Sequence, residues 1–414
     1  MAISYYECSI CKRHYTPDEV TYCCPRDGGN LTVHSDFEEH PVLVDSQSIL
    51  ADREPSIWRY APLLPVNDPG FCDTPLHQVG LTPLYRPIQL AESLGMENLW
   101  IKDESRNPSA SFKDRASAIV VARAIDTKQN KIVAASTGNA GAAMACMCAA
   151  ARKEAIILAP RTAPPAKLAQ LTTYGAKVIL VDGNYDQAFD LSIEASKEFG
   201  WYNRNTGYNP FTTEGKKTAA YEIWEQLLRV QTKGSQRVTI FIPVGDGNIL
   251  TGIWKGFSDL IALGWIEEFP KLIGVQAEGS AAIADAWMKD TETITPVEAH
   301  TLADSISVDL PRDGLRALQA VKQTGGYFIK VTDEEILQAI ATLGKCGIFV
   351  EPAAAAAFAG MNKARNNRKL NRNTPTLVLC TGSGLKDVKA ASLASRPAPI
   401  IEPSLEALKK VVHG

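Results

Sequence analysis

The sequence predicts an α/β protein with two domains on twisted, mostly parallel sheets, behind a small N-terminal segment shaped like a zinc ribbon. Three observations carry this expectation. From Leu99 onward, short apolar runs alternate with helical stretches, which is the pattern of βαβ units. Three of those runs end in loops rich in Gly, Ser, Thr and Asn, and ligands in open α/β sheets sit beyond the carboxyl ends of the strands. Residues 8–34 hold two cysteine knuckles at metal-ligand spacing. No internal repeat or low-complexity tract competes with this pattern.

A chain of 414 residues has room for two or three domains. We divide it into the ribbon-like segment 1–36, a linker and first part of a large domain at 37–109, and a small domain at 110–225. The rest of the large domain follows at 226–395, then a C-terminal tail at 396–414. A net charge of −3 makes no electrostatic case for nucleic acid or an anionic membrane as partner. The longest nearly uncharged apolar run, 140–151, falls short of the ~20 residues that a bilayer demands. The N-terminus shows neither a basic nor an apolar signal region, so a cytoplasmic location is expected. Nine scattered cysteines suit reduced thiols better than disulfides.

In chain order, the first knuckle is Cys8-x-x-Cys11 and the second is Cys23-Cys24-Pro-Arg-Asp27. Cys8, Cys11 and Cys24 are candidate zinc ligands. Asp27 stands where a fourth cysteine belongs, and Cys23, His14 and His34 are open alternatives for the fourth place. A ribbon that serves as a packing flap without metal is the other reading. Residues 36–75, acidic and containing proline, read as a wrapping linker. A short helix follows at 90–94, stopped by Gly95. Strands are expected at 99–102, 131–135, 155–159, 177–181, 238–242, 272–276 and 376–380.

The chain centres on Ser105-Arg-Asn-Pro-Ser-Ala-Ser-Phe-Lys113-Asp-Arg-Ala116. Small residues precede a lysine near the start of a helix, which suits an amine that is partly desolvated and free to form a Schiff base. Three loops then look built for a ligand. Ser136-Thr137-Gly138-Asn139 opens a helix whose free amides suit a carboxylate. Gly245-Asp246-Gly247-Asn248 opens another and suits a phosphate, although it has neither the Walker nor the dinucleotide spacing. Thr381-Gly-Ser-Gly-Leu presents short hydroxyls that can meet a ring nitrogen or an oxygen.

In order and spacing, these motifs resemble the pyridoxal-phosphate enzymes of the tryptophan synthase β fold, known as fold type II. Within that group the chain looks most like the threonine synthases, with further support from Asn209-Pro210-x-x-x-Glu214-Gly215-x-Lys217-Thr218 and from Thr381. The resemblance spans residues ~80–390. It implies that Lys113 holds pyridoxal 5'-phosphate covalently and shuttles protons, and that Asn139 hydrogen-bonds the phenolic oxygen. The amides of Gly245, Asp246, Gly247 and Asn248 would bind the cofactor's phosphate, and Thr381 would meet the pyridine nitrogen. Ser136 and Thr137 would take the carboxylate of a small amino-acid substrate. A homodimer is expected by the same resemblance.

The chain departs from the family pattern where the substrate's phosphate should be gripped. A serine ahead of Asn-Pro and an arginine two residues after it are replaced by Gly207 and Thr212. Ala140 replaces a threonine, and Asp246 replaces an asparagine in the phosphate loop and must turn away from any phosphate. Arg161 and Lys167 are candidates to supply the missing charge. The leading expectation is therefore a lyase that turns O-phosphohomoserine and water into threonine and phosphate. The alternative is a threonine or serine dehydratase, or another β-replacement enzyme acting on a small hydroxy- or phospho-amino acid. A third reading is a catalytically silent metabolite-binding regulator, against which the retention of Lys113, Asn139 and the glycine loop argues.

Overall fold

The computed structural model describes residues 3–38, 40–41, 44–163, 165–230 and 236–412. The outermost residues of the ribbon segment and of the tail, 1–2 and 413–414, lie outside it. Three sheets organise the chain. The first is antiparallel, in the order β2 (His14–Tyr15), β1 (Ile3–Cys8), β3 (Leu31–Ser35). The large sheet has six strands, and its edge strand β4 (Leu84–Tyr85) lies antiparallel to β5 (Leu99–Asp103). The small sheet has four parallel strands: β6 (Lys131–Ala135), β7 (Glu154–Pro160), β8 (Lys177–Val181) and β9 (Tyr202–Asn203), in the order β8-β7-β6-β9. The large sheet is completed by β10 (Thr239–Pro243), β11 (Lys271–Ala277), β12 (Tyr327–Val331) and β13 (Thr376–Cys380). Its order is β12-β11-β10-β13-β5-β4, with every pair but the last parallel.

Strand periodicity explains why the large sheet is buried on both faces. Ile240, Ile242, Leu377 and Leu379 point into one apolar cluster, and the alternating Phe241, Val378 and Cys380 point into another. A parallel sheet needs such double cover, because its crossover helices lie on both faces. Helix Asn248–Ala262 lies on the first side and helix Pro352–Asn366 on the second. The crossing sequence is split: β4 and β5 come from one end of the chain and β10–β13 from the other, and the small-sheet strands are inserted between them.

Helix Phe211–Gln226 packs against both helix Lys113–Asp126 and helix Asn248–Ala262, so it belongs to the seam between the sheets. The ribbon joins the core of the small sheet, where Tyr6, Leu31 and Val33 share a cluster with Ile119, Met144 and Ile157. The segment read as a linker wraps the molecule with buried Trp58 and Tyr60, and Trp58 Nε1 donates to the Leu76 carbonyl at 3.0 Å. In the tail, helix Leu405–Val412 lies at the surface with none of its residues buried. No helix among the described residues is long and apolar enough to cross a membrane.

Candidate active site

Lys113 is the first residue of its helix, reached through a turn that the large sheet holds in place. The Phe112 amide donates to the Thr381 carbonyl at 2.8 Å and the Ser383 amide to the Ala110 carbonyl at 3.1 Å. Ala110 takes a left-handed φ of 64°, a conformation that small side chains tolerate best. Asp114 fixes the turn from the other side, accepting from the Ser109 amide at 2.7 Å and its hydroxyl at 2.6 Å. Burial pushes the Asp114 carboxyl up to about 6 against those two bonds. Arg115 lies in a fully buried network with Glu104, Glu222 and Thr218. The Ser-Phe-Lys-Asp-Arg motif thus divides its work: Asp114 and Arg115 build the scaffold that aims Lys113.

Lys113, Ser136, Thr137, Asn139, Gly245, Asp246, Gly247, Asn248 and Thr381 all line one cavity of about 450 Å³ between the two sheets. Burial pulls the Lys113 ammonium below the ordinary lysine range; Arg204 adds to this, while Glu351 and Asp246 oppose it. Two helices aim their N-termini at the same space. Helix Asn139–Ala150 starts behind Gly138 and helix Asn248–Ala262 behind Gly247, and no side chain caps either one. Uncapped amides and a positive dipole end are what an anion needs. Gly247 has φ +92°, and a Cβ there would lie 2.6 Å from the Asp313 carbonyl, so only glycine fits. Asp246 turns its carboxylate onto the Arg312 amide at 3.2 Å. The Asn248 side chain is pinned by Thr213 at 2.9 Å, by Asp313 at 2.6 Å and by Lys216.

Two expectations need correction. Arg161 does not reach the cavity: its guanidinium is exposed and pairs with Asp182 at 3.4 Å. It lies in the turn just past β7, which ends at Pro160, the last residue of that strand to line the cavity. Lys167 does not line the cavity either, and bonds Asp304 across the cleft mouth at 2.6 Å.

The basic side chains that line the cavity beside Lys113 are Arg204, Lys216 and Arg312. Arg204 is buried, with Nε 3.2 Å from Ser117 and Nη1 2.7 Å from Thr206, while its Nη2 has no hydrogen-bond partner among the described residues. Burial lowers it to about 10, so it stays charged at neutral pH. Gly207 faces Arg312, where a Cβ would come within 2.7 Å of the arginine's own Cβ. Thr212 serves the phosphate loop, donating to the Asn209 carbonyl at 2.8 Å and to Asn248 at 3.3 Å. A further carboxylate has no local sequence signal. Glu351 lies buried behind Asn139 and accepts its amide nitrogen on both oxygens at 2.9 Å.

A desolvated lysine facing two uncapped helix N-termini defines the class: an enzyme that holds an anionic carbonyl cofactor next to an anionic substrate. Comparison with known proteins agrees. The model of the family described as pyridoxal-phosphate dependent enzyme matches residues 76–382. A threonine synthase of Methanocaldococcus jannaschii is 39% identical over 98% of each chain. One of Methanosarcina acetivorans is 35% identical over 99% of this chain and 98% of its own. Among solved structures, threonine deaminase isoform 2 from Solanum lycopersicum shares the fold at 21% identity and a TM-score of 0.64, covering 89% of each chain. Diaminopropionate ammonia lyase from Escherichia coli does so at 19% identity and 0.65, covering 77% of this chain and 89% of its own. The chain belongs to the pyridoxal-phosphate dependent enzymes and, within them, to the family of the threonine synthases.

Proposed function

We propose that this enzyme is a lyase that converts O-phosphohomoserine and water into threonine and phosphate, working in the cytoplasm as a homodimer. The observation that carries the substrate is Arg204, a charged guanidinium buried in the cavity wall whose Nη2 is free to donate to an anion. Arg204, with Arg312 nearby, supplies the charge that Gly207 and Thr212 do not. The residues also fit the cofactor: Lys113 as its amine, the amides of 245–248 for its phosphate and Thr381 for its ring nitrogen. Bound there, pyridoxal phosphate supplies the electron sink that acidifies protons at the substrate's α and β carbons. Lys113 is the base placed to take and return those protons. The amides behind Ser136 and Thr137 hold the carboxylate, and Glu351 keeps the Asn139 side chain turned toward the cleft.

The dehydratase reading rests on Gly207 and Thr212, neither of which lines the cavity. One assay separates the two: phosphate released from O-phosphohomoserine against ammonia released from threonine or serine. Arg204→Met is expected to raise KM for O-phosphohomoserine at least ~10-fold while the cofactor still binds, since a bond to a charged group is worth ~1.5–3 kcal/mol. Ammonia release without phosphate release would establish the dehydratase instead.

A further inference from the structure

The ribbon carries two knuckles of the same construction. In the first, the Cys8 amide donates to the Arg13 carbonyl at 3.0 Å and the Lys12 amide to the Cys8 carbonyl at 3.1 Å, with Lys12 left-handed at φ 58°. In the second, the Cys24 amide donates to the Gly29 carbonyl at 2.9 Å and the Gly28 amide to the Cys24 carbonyl at 2.9 Å, with Gly28 left-handed at φ 72°. This repeat places Asp27 where the first knuckle has Cys11. Their ligating atoms converge: those of Cys8, Cys11, Cys24 and Asp27 all lie within 4.8 Å of one another. Cys23, His14 and His34 are not in this group.

We propose that Cys8, Cys11, Cys24 and Asp27 form a tetrahedral zinc site that fixes the ribbon against the phosphate cradle. The spacings fit a metal better than a disulfide. Zn–S bonds of ~2.3 Å at tetrahedral angles put two sulfurs ~3.8 Å apart, and a Zn–O bond of ~2.0 Å puts sulfur and oxygen ~3.5 Å apart. Cys11 and Cys24 Sγ are 3.8 Å apart, and Cys8 Sγ lies 3.3 Å from Asp27 Oδ1. Two of the sulfurs have polar neighbours within hydrogen-bond reach. The Ile10 amide donates to Cys8 Sγ at 3.4 Å and the Tyr15 hydroxyl lies 3.1 Å from Cys24 Sγ. The Gly29 amide holds Asp27 Oδ1 at 2.9 Å, orienting the carboxylate. Three thiolates exclude magnesium and calcium, which need oxygen shells. Binding releases the thiol protons and leaves Asp27 ionised.

The site is wired to the active centre. Beyond the second knuckle, the Leu31 carbonyl accepts from Arg316 Nη1 at 2.9 Å. Arg316 Nε bonds Asp313 at 2.6 Å, and Asp313 accepts from Asn248 of the phosphate loop at 2.6 Å. The Asn30 side chain also donates to the Gly207 carbonyl beside Arg312. Zinc at the knuckles therefore holds one end of the chain of bonds that shapes the cradle.

The test is elemental analysis of the holoenzyme with cobalt(II) substitution. About one zinc per chain is expected, and its cobalt form should show sulfur-to-metal charge transfer. Asp27→Ala should weaken zinc by at least ~100-fold, beyond the 10–100-fold typical of an outer-shell change. Asp27→Cys should keep the metal. Gly29→Ala should expel it with all four ligands in place, because a Cβ there would lie 2.6 Å from Cys8 Sγ. Cys23→Ser should change nothing. Zinc-free protein that takes up no added zinc, a Cys11–Cys24 disulfide in its place, or full zinc affinity in Asp27→Ala would overturn the assignment.

Discussion

Replacing Glu222 by Gln tests how far the scaffold behind Lys113 depends on one buried charge. Glu222 accepts from Lys102 at 2.7 Å, from Arg115 at 2.5 and 2.8 Å, and from the amides of Leu81 and Thr82 at 2.8 and 3.2 Å. All three side chains are fully buried, and Glu104 supplies the second carboxylate, so two cations balance two anions. Glu222→Gln keeps the shape but strands one positive charge, at a cost of about 3–5 kcal/mol for breaking a buried pair. Burial works against ionisation of Glu222, but Arg115 and Lys102 outweigh it and hold the carboxyl below its usual value of 4.5. A depressed carboxyl stabilises the fold above its unfolded value, and that contribution is lost as pH falls toward the folded one. Urea midpoints at constant slope should therefore show the full deficit at pH 7 and a smaller one as pH falls below about 4.5. A double variant, Lys102→Met with Glu222→Leu, leaves the Arg115–Glu104 pair balanced and should recover most of the loss. A Glu222→Gln deficit under about 1 kcal/mol at pH 7 would refute the reasoning.

Lys113→Ala should keep the fold, lose the covalently held cofactor and lose turnover by at least ~10²–10⁴; undiminished activity would remove Lys113 from the mechanism. Thr381→Ala should slow the enzyme modestly, because one hydrogen bond is worth ~1 kcal/mol. Gly247→Ala combines a left-handed φ of +92° with a Cβ 2.6 Å from the Asp313 carbonyl, so cofactor titration should show at least ~10-fold weaker binding. Because Glu351 raises the Lys113 ammonium and Arg204 lowers it, the pH midpoint for borohydride trapping of cofactor on Lys113 should fall in Glu351→Gln and rise in Arg204→Met. Unchanged midpoints in both variants would show that neither charge acts on the amine.

The strands that could be read were those with runs of apolar residues, such as 376–380 and 131–135, because burial on both sheet faces leaves that signature. Strand β9 has only two residues, which is below any periodic signal, and with it went Arg204, which follows β9 in the way that the loop residues follow the longer strands. Strand β12 carries Lys330 amid apolar residues at the sheet edge, which interrupts the apolar run that marks the other strands. Glu351 reads locally as an ordinary acid ahead of a helix-starting proline. Its place becomes visible only when its amide meets the Gly382 carbonyl at 3.0 Å, a pairing between loops far apart in the chain. Nearness to a strand end does not fix direction for Arg161, which lies in the turn beyond β7 with its side chain paired to Asp182 at the surface.

The placement of contacts across the cleft says how it can open. At the rim, Lys167 meets Asp304 and Lys386 meets Gln170 at 2.7 Å, in half-exposed positions where such contacts are worth ~0–1 kcal/mol. Deeper in, Asn139 meets Glu351 across the same boundary with both groups buried. The small sheet contributes Asn139, Ser136 and Thr137, and the large sheet contributes the phosphate loop and Thr381. Separating the sheets would therefore part Ser136 and Thr137 from the 245–248 loop. Lys113 stays with the cradle, because its turn is bonded to residues 381–383. A parting of the two sheets would thus leave Lys113 and the 245–248 loop together on the large-sheet side.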